Sequence, residues 1–118
     1  MKRKALLRTL TVLAVIVFAG ITFAGNADNG KSLFNNPALG SNGRTCSSCH
    51  RDGKGINGTK SVFRIIGREF NDPADAINFC LKIALKGNPL QKESQEMQDL
   101  VAYIKSLKPG KKKRIIGC

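Results

Sequence analysis

The sequence predicts an all-α domain with one small core, and three observations predict it. Two stretches in the C-terminal half repeat apolar residues with the 3.6-residue period of a helix, each starting at a capping side chain. A shorter amphipathic stretch precedes them, with Gly30 and Phe34 four apart on one face. Between lies Cys46-Ser47-Ser48-Cys49-His50, in a chain whose 118 residues are too few for a dinucleotide-binding enzyme or a β/α barrel. No phosphate-binding glycine pattern occurs. One His, one Tyr (Tyr103) and no Trp leave little material for side-chain catalysis.

The N-terminus reads as a targeting segment. Lys2, Arg3, Lys4 and Arg8 precede an apolar run, Thr9 to Ala24, and small residues at Thr22 and Ala24 suit a signal peptidase. Residues 1–24 are therefore expected to be a signal peptide. The rival is an uncleaved membrane anchor, for which an apolar stretch of 16 residues is short against the ~20 of a spanning helix. Removing residues 1–24 takes four cations and no acid from a net charge of +12, leaving +8. A periplasmic or otherwise exported protein is expected, with the domain over residues 25–108 and a basic tail over 109–118.

The elements follow in order. Asp28 to Phe34 is the short first helix. Asn35 to Arg44 is a loop broken by Pro and Gly. Arg51 to Lys60 carries three Gly and no apolar period, so a solvent-facing loop is expected. Asp72-Pro73 opens a helix as N-cap and first helical residue. Its apolar face is Ile77, Cys80, Leu81, Ala84 and Leu85, and Gly87 is the expected stop. Ser94 caps the last helix, whose stripe is Met97, Leu100, Val101, Ile104 and Leu107, ended by Pro109-Gly110.

Cys46 to His50 is the Cys-x-x-Cys-His pattern of c-type haem attachment. Two thiols three apart can add to the two vinyl groups of one porphyrin, and His50 is then carried beneath the iron as proximal ligand. A thioredoxin-like pair would need a βαβ context, which is missing. A zinc site using Cys46, Cys49 and Cys80 or Cys118, and a tight Cys46–Cys49 disulfide, are the other readings. One covalently attached haem c is expected, with the helices packed around it. So short a chain buries a modest core by itself, so the apoprotein is expected to be poorly folded.

With those pieces in place, the layout resembles class I cytochromes c over about Asp28 to Leu107. The shared features are Gly30 with Phe34, Cys46 to His50, and the Leu-Val-Ala-Tyr-Ile run from Leu100 to Ile104. The resemblance implies the cytochrome c fold, with first and last helices crossing where the Gly permits close approach near the Tyr. Two departures stand out. The loop after the motif lacks the Pro that usually supports the proximal His, and Lys86 to Gln91 lacks the usual distal Met. The segment Asn78-Phe79-Cys80 through Gly87-Asn88-Pro89-Leu90 to Ser94-Gln95-Glu96-Met97 is similar to the haem domains of thiosulfate dehydrogenases and of the haem subunits of thiosulfate-oxidising systems. That similarity implies Cys80 as distal ligand. Met97, on the core stripe, is the alternative; an open site or a Lys is the third reading.

These readings imply a one-electron carrier. A haem enzyme or enzyme subunit that oxidises thiosulfate-like anions at a His/Cys-ligated haem is the alternative, and an open-site sensor a third class. Arg64, Arg68, Lys82 and Lys86 are candidates for a positive field at the haem. The tail, with five cations from Lys108 to Arg114, points to acidic redox partner proteins, or to an anionic membrane surface. Nucleic acid is not an expected partner. Cys118 could pair with Cys80, link two chains or carry a substrate. Arg-Ile-Ile-Gly occurs at both 64–67 and 114–117, a repeat without a physical account.

Overall fold

The computed structural model describes residues 24–110. The signal-peptide assignment over 1–24, the basic run from Lys111, the second Arg-Ile-Ile-Gly and Cys118 lie essentially outside that span. The described chain has four helices and one small sheet: α1 (Ala27–Phe34), α2 (Cys46–Cys49), β1 (Phe63–Ile65), β2 (Arg68–Phe70), α3 (Pro73–Ala84) and α4 (Gln95–Ser106). No described helix is long and apolar enough to cross a membrane.

Helices α1 and α4 cross, and that crossing holds the closed part of the core. Gly30 is what lets them meet: a Cβ there would strike the Asp99 carbonyl and the Tyr103 Cβ. Phe34, one turn on, meets Tyr103 edge to face with ring centroids 5.2 Å apart. Leu100 and Ile104 complete the cluster. Asn26 caps α1 by accepting from the amides of Asp28 and Asn29. Its own amide donates to Asp99 at 2.7 Å. Asp99 is a buried acid on the crossing face, where the sequence pattern offered only apolar residues. It also accepts from Gln95 Nε2 at 2.7 Å. The Asn26 amide, then Gln95, hold its carboxyl below the usual carboxylate range.

Helix α3 starts as expected, with Asp72 accepting from the Ala74 amide at 2.8 Å. Its end differs. Lys86, not Gly87, takes the left-handed conformation (φ 56°). Gly87 is needed for space, since a Cβ would strike the Leu39 carbonyl. The strip before the motif is fastened to this helix end. Ser41 donates from N to Leu85 O at 3.0 Å and from Oγ to Lys86 O at 2.7 Å, and Asn42 donates to Ala84 O at 2.9 Å.

Two expectations need correcting. Residues 63–70 form an antiparallel hairpin, so the domain is mainly rather than wholly helical; Phe63 pairs with Phe70, Arg64 with Glu69 and Ile65 with Arg68. The turn is Ile66-Gly67, with positive φ at both residues (46° and 73°), the type I′ pattern. A β-branched residue held there carries strain of roughly 1 kcal/mol or more. Arg51 to Lys60, expected to face solvent, has two buried glycines. Gly53 abuts the Leu107 side chain, and Gly58 lies on the Ile104 carbonyl and donates to Leu107 O at 2.9 Å. Hydropathy cannot signal such packing, because the two glycines bring only backbone to it.

Candidate functional site

Cys46 and Cys49 open and close α2, a single helical turn. Thr45 donates its amide to Ser48 Oγ at 3.0 Å, and the His50 amide reaches Cys46 O at 3.0 Å. This turn puts both thiols and the imidazole on the wall of one cleft of about 950 Å³. The size lies within the ordinary range for a bound cofactor.

The imidazole is oriented by a backbone turn. Gly53 to Ile56 form a turn closed by the Ile56 amide on Gly53 O at 3.0 Å, with Lys54 at φ −58°, ψ 132° and Gly55 at φ 85°. Those are type II angles. The turn presents Lys54 O to His50 Nδ1 at 3.1 Å. With Nδ1–H donating to that carbonyl, Nε2 carries the lone pair and is the ring atom left for a metal. Lys54 holds the turn position that Pro favours, so the support expected of the absent Pro comes from the Lys54 backbone.

Helix α3 supplies another wall. Of its sequence-predicted apolar face, Leu81 is buried away from the cleft, whereas Ile77, Cys80, Ala84 and the buried Leu85 line it. Cys80 thus shares the cleft with Cys46, Cys49 and His50. Met97 is fully buried and is not part of the cleft lining. Asn78 fixes the following segment through a two-way clasp with Leu90, donating to its carbonyl at 2.9 Å and accepting from its amide at 2.8 Å. The lining is mostly apolar, with Phe34, Ile56, Phe63, Ile65 and Leu100 among its residues. Among the described residues the cysteines form no disulfide, and no cluster of three or more His, Cys, Asp or Glu could hold a metal by itself.

Burial pushes the Cys46 thiol up to about 11, with the neighbouring Cys80 adding to the effect. Cys80 is raised by burial, then by Cys49. Of the four cations singled out in the sequence, only Arg64 lines the cleft, and it pairs with Glu69 at 2.6 Å. Arg68 lies over the Phe79 ring, 5.4 Å from its centroid, and neither Lys82 nor Lys86 is part of the lining. Arg44 and Lys60, which the sequence did not single out, do line it, and no Asp or Glu does.

The family model of the SoxA/TsdA cytochrome c domain matches residues 29–112. The chain belongs to that family. No curated protein and no solved structure matches it. The cytochrome c domain implies covalently bound haem c and haem-based electron transfer.

The residues present in the cytochrome fit that group. Two thiols three apart stand beside an imidazole whose Nδ1 is already engaged, on the wall of a mostly apolar cleft of suitable volume. Sequence reasoning missed Arg44 and Lys60, which looked like ordinary solvated charges. It also missed the Lys54 carbonyl, a backbone atom with no residue-type signal.

Proposed function

We propose that this domain is an exported monohaem cytochrome c that passes single electrons between redox partner proteins. In this reading the Cys46 and Cys49 sulfurs form the thioethers, His50 Nε2 is the proximal ligand and Cys80 the distal one. The observation that carries it is the cleft that gathers Cys46, Cys49, His50 and Cys80 and leaves Met97 out of its lining. When bound, haem supplies a one-electron iron(III)/iron(II) couple. The chain does the rest. Lys54 O orients His50, and apolar side chains exclude water. A Cys80 thiolate would stabilise the ferric state and lower the potential, where a thioether would raise it. The basic balance of the chain suits acidic partners.

Low-temperature EPR of the ferric holoprotein and of Cys80→Ser tests the ligand set. A narrow low-spin signal lost in the variant is expected. A wide His/Met-type signal unchanged in the variant would reject Cys80 and return the role to Met97.

A second reading is favoured by the family and by the acid-free lining with Arg44 and Lys60. There the domain is an enzyme or enzyme subunit, and those cations draw a thiosulfate-like anion to the Cys80 side of the cleft. Turnover of thiosulfate with an artificial acceptor above that of free haem would establish it. Its absence would leave the carrier.

A further inference from the structure

The hairpin tip carries a residue that the fold does not use. A two-residue type I′ turn takes Asn-Gly or Gly-Gly at no conformational cost, yet here Ile66 occupies the first left-handed position. The side chain gains nothing inside the domain in return, being 80% exposed, the most exposed large hydrophobic group among the described residues. It lines the cleft together with Phe63 and Ile65 of the adjoining strand. Arg44 and Lys60 share that lining, and neither forms an ion pair with any described carboxylate. No acid lines the cleft, the hairpin's Glu69 is paired with Arg64, and residues 25–118 carry a net charge of +8.

We propose that the Ile66 tip, together with Arg44 and Lys60 of the same cleft lining, is the docking surface for a redox partner protein that presents an apolar patch ringed by carboxylates. This rests on the reading that haem occupies the cleft. Ile66 then supplies the desolvated centre of a small, short-lived interface, and the cations steer the encounter. Charge complementarity selects this partner over a second copy of the chain, because two copies docked tip to tip would bring like-charged rims together.

Holoprotein adsorbed on gold electrodes tests the proposal, with monolayers ending either in carboxylates alone or in a carboxylate–methyl mixture that mimics the partner. Interfacial electron transfer on the mixed monolayer should slow about tenfold in Ile66→Asn. On the pure carboxylate monolayer the variant should match wild type. Ile66→Gly should lose the same advantage while melting no lower than wild type, because glycine relieves the turn. Three results would overturn the proposal: wild-type rates on the mixed layer for both variants; a dimer of the wild type that Ile66→Asn dissociates; or binding to anionic phosphatidylglycerol vesicles that Ile66→Asn abolishes. Absence of any redox wave from wild type, together with no haem absorption spectrum and no spectral change on adding dithionite, would instead bring down the haem reading itself and this inference with it.

Discussion

The α1–α4 crossing and the wall formed by α3 with the hairpin are built on opposite plans. At the crossing Phe34, Leu100, Tyr103 and Ile104 are buried against one another, and Phe34, Leu100 and Ile104 present only an edge to the cleft. Phe34 is 2% exposed and Leu100 1%, and the one buried acid, Asp99, is satisfied by Asn26 and Gln95. On the α3 side the apolar side chains Ile77, Phe63 and Ile65 stay half-buried and face a large cleft. The crossing is closed mainly by the polypeptide, whereas the wall leaves more of its apolar surface to be covered by a guest. A domain this size has little stability to spare, so the wall's integrity should depend on the guest far more than the crossing's does.

The strongest way to break this contrast is to remove the thiols. In Cys46→Ala/Cys49→Ala, stability should fall by several kcal/mol of a total of about 5–15. Amide hydrogen exchange should show α3 and the hairpin losing protection first, and α1 with α4 last. Uniform loss would remove the distinction between the two regions. The next effect is at the crossing. Gly30→Ala forces a methyl onto the Asp99 carbonyl, and about 3 kcal/mol should be lost in a denaturant titration of the holoprotein.

Asp99 gives a smaller and pH-dependent effect. Asp99→Ala strands the Asn26 amide and should cost about 1–3 kcal/mol. Because the folded carboxyl is held below its unfolded value of ~3.9, its contribution is present above that pH. It is lost as pH falls through the lower, folded value. The acid limb of a melting-temperature profile should therefore flatten in Asp99→Asn. The smallest effect is on the solvent side of α3. Lys92 bridges Asp72 at 3.0 Å and Asp75 at 2.7 Å, with all three side chains well exposed. Lys92→Ala should melt within experimental scatter of wild type.

The same contrast explains what the sequence could disclose. Gly30 with Phe34, the Leu100–Ile104 run and the Cys46–His50 motif are patterns of side-chain type at fixed spacing, and they were legible. The stripe on α3 was legible as a stripe. Its division between core (Leu81) and cleft (Ile77, Cys80, Ala84, Leu85) was not, because periodicity reports a face and not what covers it. Strands three residues long leave almost no period, and a turn of Ile-Gly lacks the usual signal, so the hairpin went unseen. Buried Gly58, the Lys54 carbonyl and Asp99 act through backbone atoms or through a charge that ordinarily marks solvent.

Ser41 and Asn42 hold the carbonyls at the end of the helix that bears Cys80, three bonds that owe nothing to any cofactor. They form a mechanical strap between the strip leading into the motif and α3. Under the proposed His50/Cys80 ligation, should the Cys80 sulfur dissociate on a change of charge, the strap would keep it within recapture distance, and the helix could not swing away. Reorganisation on electron transfer would then be confined to one side chain, which favours fast and repeatable cycling.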